Sequence, residues 1–534
     1  MLEKLSPNQR LMVAVVLSIL FFSAYTAIFP PAPMPTAETN TTKPALQTDA
    51  KQPQTDIKAV TGHDVPKAEE VTTQSSTIVT TIKAPDFILK LDTLGRIASK
   101  ELLDERFRDS DDLHAQVIPA TGAKPLFIRF ADEALNKEAL QTPYTASIKE
   151  ATLEDAPVKV TLTQKLSSLT ITKELTFYKD GHYDAAIKLS SEKRYFVYVG
   201  HRPEVSKKLM AAAGVLVYTA DGVAHIIEDG DATSRATFSD VVVASAFDQY
   251  TATMFYGLKK DTLVIVDGDS KENPVLYFDA NGDQNFKGYI GPKEYKTLKA
   301  IDPALVNAIE FGWFTFAAKP LFTVLLWLHD HIGNWGWAII ALTFLVRLIL
   351  YPLTYKGMVS MQKLKELSPK VKEIQEKYKG DPQRMNAAMM ELYKKHGANP
   401  LGGCLPMLLQ IPVFFAIYRV LLNAVELQGA PWILWIDDLS RMDPTYILPI
   451  LMGASMYFQQ KMTPTNFTDP MQAKVMQFLP VIFTFFFITF PSGLVLYWFV
   501  NNLFSILQQF IVNKQFENAK DLQKHVEKKQ KSGK

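Results

Sequence analysis

The chain has 534 residues, a formal net charge of +2 and 47% hydrophobic residues. Those figures average two unlike halves: residues 30–310 are polar and alternating, whereas 311–512 carry most of the long apolar runs, so at least two domains follow. Cys404 is the only cysteine, which excludes an intrachain disulfide and leaves the redox compartment unread.

Lys4 and Arg10 precede the apolar run Leu11–Phe29. Its roughly 19 residues exceed the usual signal-peptide core and match a bilayer span. Residues 1–29 therefore read as an N-terminal transmembrane anchor whose basic flank keeps the N-terminus in the cytoplasm. Residues 30–80, with Pro30, Pro31, Pro33, Pro35, Pro44 and Pro53 among Thr, Gln and Lys, read as a flexible linker that cannot bury enough surface to fold. Within it, Glu38 to Thr42 fits the acidic-x-Asn-x-Thr form of some bacterial glycosylation systems, with Asn40 as acceptor.

From 81 to 310 the pattern changes to alternation with turn chemistry. Leu169 to Phe177 is β-rich, Asp180-Gly181 is a hairpin signal, and Tyr183, Ala185, Ile187 and Leu189 then face one way on the return strand. Asn281-Gly282, between Val275–Phe278 and Phe286–Ile290, repeats the device. More than ten short strands without interleaved helices predict an antiparallel β-sandwich. It shows no metal spacing, phosphate loop or Ser/His/Asp constellation.

Residues 311–332 are apolar and aromatic but interrupted by Lys319-Pro320 and closed by His329, Asp330 and His331. This is the pattern of an amphipathic helix lying in the outer interface, anchored by Trp313 and Trp327, with the histidines capping it in water rather than binding metal. Residues 333–512 then offer five spans: Trp335–Leu353, Leu405–Leu422, Tyr446–Gln460, Val475–Phe490 and Gly493–Val512. The lysine-rich segment 356–403 and the basic tail 513–534 belong in the cytoplasm, and the acidic loop 425–445 on the other side, giving six spans with both termini inside. Two of the spans, at about 16 residues or ~24 Å, are short for a hydrocarbon core of ~30 Å. Within the cytoplasmic segment, 358–397 reads as a helical hairpin. Met361, Leu364, Leu367, Val371, Ile374 and Tyr378 recur at spacings of three and four, Asp381-Pro382 starts a second helix carrying Met385, Met389 and Leu392, and Gly397 ends it. Its methionines suit varied apolar partners.

Arg347 sits inside Trp335–Leu353, and no span supplies a carboxylate to pair with it. An arginine at the centre of a bilayer helix costs about 2.5–3.5 kcal/mol on insertion scales, so it must face water or a partner. A wet, positively charged cavity whose counter-charge arrives on a substrate is the simplest resolution; snorkelling to the cytoplasmic surface is the alternative. Gln410, Asn501 and Asn502 are also polar residues in apolar spans, suited to a shared hydrated interior or to interhelical hydrogen bonds. A secondary transporter or solute channel is the rival function, but the spans show no internal repeat. An intramembrane enzyme lacks a His, Asp or Glu within any span to serve Ser492 as base.

Four runs carry a resemblance: Asn399 to Phe415 (NPLGGCLPMLLQIPVFF), Asp469 to Gln472 (DPMQ), Phe490 to Trp498 (FPSGLVLYW), and Thr343 to Arg347 (TFLVR) with Tyr351-Pro352. Over almost its whole length the chain resembles the YidC family of membrane protein insertases in its Gram-negative inner-membrane form. The resemblance implies an α-helical polytopic membrane protein with six transmembrane helices, five of them forming an insertase core, and a large periplasmic antiparallel β-sandwich of the supersandwich type. It implies a hydrophilic groove open to cytoplasm and lipid, holding Arg347 and lined or bordered by Thr343, Phe414, Met452 and Trp498. Trp498 departs from the tyrosine frequent in close relatives, keeping an aromatic face without the phenol hydroxyl. Such a protein is not an enzyme and needs no cofactor or metal. The groove receives nascent membrane proteins and releases their helices into membrane lipids, alone or with the Sec translocon (SecYEG, SecDF). The tail and hairpin offer a basic surface to the ribosome, and no DNA partner is expected.

Overall fold

The computed structural model describes residues 76–108, 113–206, 212–312, 315–397, 405–462 and 470–532. The expected anchor 1–29, Asn40, most of the linker, Trp313, the stretch Asn399 to Cys404 and Asp469 lie outside the described residues. The chain divides into a β-rich unit ending at Glu310 and a helical unit comprising Phe311–Leu422 and Glu426–Lys534.

The β-rich unit contains sheets of nine, five and four strands. In the nine-stranded sheet, Thr170–Phe177 pairs antiparallel with His182–Leu189 across Asp180-Gly181, where Gly181 has φ +89°, and Tyr183, Ala185 and Ile187 point into the core as the alternation predicts. The second hairpin is corrected. Pro274–Asn281 pairs with Val264–Gly268 and Arg194–Gly200 in the five-stranded sheet, while Gln284–Pro292 pairs with Thr251–Tyr256 and His182–Leu189 in the nine-stranded one. Gly282, at φ +63°, turns the chain from one sheet to the other. Turn chemistry reports a local backbone conformation; it does not choose the strand's partner.

Three further differences follow. Ile78–Lys83 begins inside the expected linker, with Thr80 and Ile82 fully buried, and pairs parallel with Glu150–Thr152, so the sheets are not wholly antiparallel. Helix α1 (Glu133–Gln141), capped by the Asp132 side chain accepting from Leu135 N, interrupts the strand series, and α2 (Tyr295–Ile301) follows it. The strand Arg194–Gly200 shows how the layers stack. Tyr195, Val197 and Val199 enter the core shared with Val215, Val217 and Phe255 of the nine-stranded sheet, and Phe196 and Tyr198 join Phe127, Ile265 and Tyr277 on the opposite face, with Leu140 of α1 against them.

Two lysines lie within this β core. Lys100 Nζ donates to Ile290 O and stands 3.9 Å from the Phe87 ring centre; Lys173 Nζ donates to Gly95 O at 2.8 Å and Leu126 O at 2.7 Å. Burial pushes both ammonium groups down to about 7. The unfolded lysine titrates near ~10.4, so between about pH 7 and pH 10 the unfolded chain binds more protons and folded stability rises with pH; below that window both states are protonated and the contribution is flat. Lys100→Met and Lys173→Met should each flatten the rise in unfolding temperature between pH 7 and 9, and slopes equal to that of the parent would refute the assignment.

In the helical unit, α3 (Thr315–Ile332) runs unbroken through Lys319-Pro320. It buries Ala318, Phe322, Leu325, Leu326 and Leu328 and exposes Phe316 and Trp327. Helix α4 (Trp335–Lys377) is 43 residues, about 65 Å at ~1.5 Å per residue. It joins the expected span to the first arm of the expected hairpin without a break. The second arm is α5 (Pro382–Lys395), capped by Asp381 accepting from Arg384 N at 3.1 Å. Then follow α6 (Leu405–Asn423), α7 (Ile447–Met462), α8 (Pro470–Phe487) and α9 (Ser492–Ser532). Helix α8 starts five residues before the predicted span, and α9 continues from the last span through the basic tail. Among the described residues two helices, α4 and α9 up to Asn518, are long and apolar enough to cross a membrane, and apolar stretches of α6 and α8 are shorter. Helices α7 and α8 approach closely at Gly453, where a Cβ would lie 1.8 Å from Thr484 Oγ1.

Candidate functional site

Arg347 lies on the apolar half of α4, where its alternatives are lipid or a polar neighbour. The neighbour is α9. Arg347 Nε donates to Asn501 Oδ1 at 2.8 Å, and Nη2 donates to Asn501 O at 3.0 Å and to Ser505 Oγ. Ser505 Oγ in turn donates to Asn501 O at 2.9 Å. The guanidinium is thus held by neutral acceptors, which fix its direction without cancelling its charge. Two turns further along α4, Gln508 Nε2 donates to Thr354 Oγ1 at 2.7 Å, and Tyr355 OH donates to Gln515 Oε1 at 2.9 Å. Positions 501, 505, 508 and 515 share one face of α9, so the contacts form a polar seam along the α4–α9 packing. Sequence reasoning found Arg347 and Asn501 but missed Ser505, Gln508, Thr354, Tyr355 and Gln515. The signal was the recurrence of polar residues at spacings of three, four and seven.

Asn502 turns to another helix: its Nδ2 donates to Ser455 Oγ at 3.1 Å on α7, and both residues are buried. For Asn502 the interhelical bond is therefore what the structure shows, not a shared interior with Arg347. Met452, one turn before Ser455, is fully buried, and its carbonyl accepts from Ser455 Oγ at 2.6 Å. Thr343 is also buried and donates to Ile339 O at 2.7 Å within its own helix. Thr343 and Met452 stand inside the packing and present no surface.

A second group gathers around Trp498 of α9. Its ring meets Phe414 of α6 edge-on at 4.5 Å, and Phe487 and Phe483 of α8 at 4.9 and 6.1 Å. One residue earlier, the buried Tyr497 lies beside the Gln410 side chain of α6. The two groups follow one another along one side of α9 but draw on different helices: aromatic contacts to α6 and α8 around Trp498, and polar contacts to α4 from Asn501 onward. Of the hairpin residues, Met361, Leu364, Met385 and Met389 are half-buried, Leu367 and Val371 are buried, and Met390 is exposed. Among the described residues no group of three or more His, Cys, Asp or Glu could hold a metal ion.

The 60Kd inner membrane protein family model matches residues 327–520, which contain the seam, the aromatic cluster and the hairpin, and the YidC periplasmic domain model matches residues 243–324. A protein of Wolinella succinogenes named membrane protein insertase YidC is 49% identical over 521 residues, covering 97% of both chains. Proteins of the same name from Campylobacter jejuni (48% over 513 residues, 95% of this chain and 96% of that one) and Helicobacter pylori strain 26695 (45% over 550 residues, 97% and 98%) are similarly close. Identity of nearly one half, sustained over almost the full length of both partners, is far more than a common helical architecture produces: the chain belongs to the YidC family of membrane protein insertases.

Proposed function

We propose that this bacterial inner-membrane insertase receives the polar segments of nascent membrane proteins along the α4–α9 seam and releases their apolar helices into lipid. The observation that carries the reading is Arg347, a cation held on a membrane-crossing helix by neutral acceptors alone among the described residues, and so available to an anionic client group. A client carboxylate that reaches Arg347 meets a guanidinium already oriented by Asn501 and Ser505. The client's apolar part meets outward faces such as Phe344, Leu348 and Ile349 of α4 and Phe478, Ile482 and Phe485 of α8, all exposed and suited to lipid. Neither nucleotide nor metal enters this scheme.

The topology we propose has six spans, residues 1–29 forming the first, both termini and the hairpin 358–397 in the cytoplasm, and five spans making the core with its groove residues Arg347, Gln410, Phe414, Trp498 and Asn501. The lysine distribution supports it. Purified protein in liposomes should insert a short membrane protein without releasing a trapped small solute or cleaving a peptide. Solute flux with no insertion would instead favour a transporter.

Cooperation with SecYEG, SecDF and the ribosome belongs to the same proposal. Because α9 runs on as helix to Ser532, its basic tail stands as a continuous extension of the last span. Truncation after Lys514 should weaken ribosome co-sedimentation at low salt, where phosphate contacts are strongest. Unchanged binding would leave the tail lysines with a topological role alone.

A further inference from the structure

The loop between α6 and α7 presents an apolar tip that the seam does not use. Ile433 and Leu434 are 37% and 80% exposed, flanked by the half-exposed Trp432 and Trp435. The tip is a fixed turn: Trp432 N donates to Ile436 O at 2.9 Å and Ile436 N to Ile433 O at 3.2 Å. Leu434 sits at φ +55°, the left-handed region where glycine or asparagine is the comfortable residue. A bulky leucine here gains nothing from its backbone, and among the described residues nothing covers its apolar surface, so the tip calls for a partner.

The loop's attachment identifies that partner. Asn334, the N-cap of α4, donates from Nδ2 to Pro431 O at 3.0 Å, and the Trp432 ring lies so close over Gly336 that a Cβ there would stand 2.1 Å from Trp432 Cδ1. Trp337 meets Trp432 edge-on at 5.8 Å. The tip is therefore fixed at the level where the membrane-crossing α4 begins. Trp327, Trp335, Trp337, Trp432 and Trp435, five of the chain's seven tryptophans, belong to the loop, to the start of α4 or to the last turns of α3 beside it. Such a belt marks the headgroup level of a bilayer. Past the tip the loop turns polar, with Asp437 exposed and Asp438 paired to Arg441, and then leads to the exposed Tyr446, Ile447 and Ile450 at the start of α7.

We propose that Pro431–Trp435 is a lipid-binding anchor: Ile433 and Leu434 enter the acyl region of the leaflet at the α4 N-terminus, the tryptophans lie among the headgroups, and Asp437 stays in water. The loop thereby fixes the depth of the α4 N-terminus and hence of the seam below it.

The test uses the full chain carrying Cys404→Ser and Leu434→Cys, labelled with an environment-sensitive fluorophore and reconstituted in vesicles of phosphatidylethanolamine and phosphatidylglycerol. A nitroxide near the carbonyl end of the acyl chain should quench the label several-fold more strongly than aqueous iodide. The same label at Ile433→Cys should behave alike, and at Asp437→Cys the order should reverse. Stronger quenching by iodide at 433 and 434 would place the tip in water and overturn the proposal. Protection from both quenchers would show a protein cover and overturn it equally. Insertion by each labelled protein confirms that the variants are folded.

Discussion

Arg347→Ala is expected to reduce insertion of clients with acidic translocated tails by roughly tenfold to a hundredfold, because a hydrogen bond to a charged group is worth about 1.5–3 kcal/mol and each 1.4 kcal/mol is tenfold. The effect should fade along a client series as tail carboxylates are removed, since neutral tails exchange only hydroxyl and amide contacts with the seam. Arg347→Lys should keep most of the function. It retains the charge but gives up the fork that binds Asn501 and Ser505, so its cation is less firmly placed. Ser505→Ala should fall between parent and Arg347→Ala, with the loss again concentrated in acidic clients. Insertion measured in vesicles across tails of graded charge decides the matter: parent and Arg347→Ala giving the same yields at every tail charge would remove the cation from the mechanism.

Arg347 and Asn501 were legible because a charge or an amide stands out against an apolar span. Their companions were not, and the reason is geometric. Asn501 and Asn502 are adjacent and chemically identical, yet about 100° of helical rotation sends one to Arg347 on α4 and the other to Ser455 on α7. Only the packing phase of α9 decides which, and hydropathy does not encode phase. Ser505, Thr354 and Gln508 are ordinary residues whose one mark is a spacing of three, four or seven from another polar residue, and that spacing gains meaning when the partner helix is in place. The expected spans and the helices differ in length for a related reason. The charges after Leu353 and Val512 report a change of solvent, whereas the backbone of α4 and α9 continues because Lys, Glu and Gln are good helix formers in water. In the β-rich unit the alternation at Tyr183–Ile187 was decisive because one face is buried and the other is not. Pro274–Asn281, buried on both faces, gave no such cue, and its partner was misassigned.

The largest effect on the fold's division of labour should come from α3. Its exposed face carries Phe316, Val324 and Trp327, with Leu321 half-exposed, and Trp313 precedes it outside the described residues. The opposite face, with Phe322, Leu325 and Leu326, is buried in the helical unit, so the exposed residues can be changed without emptying a core. We propose that this face lies in the membrane interface just before α4; each large apolar side chain moved from water to an apolar setting gains about 1.5–3 kcal/mol, so serine at all five positions would remove several kcal/mol of that anchoring. That variant should abolish insertion with the β-rich unit intact. The reverse experiment deletes the β-rich unit. The cut belongs at about 60–308, because Leu298, Leu305, Val306 and Ala308 are buried within that unit and would be left bare by a shorter deletion. The shortened chain should still sustain viability and measurable insertion, since the seam, the aromatic cluster and the hairpin all lie beyond residue 330. Failure of that chain despite normal levels and orientation, or normal insertion by the five-serine variant, would move function out of the helical unit and into the β domain.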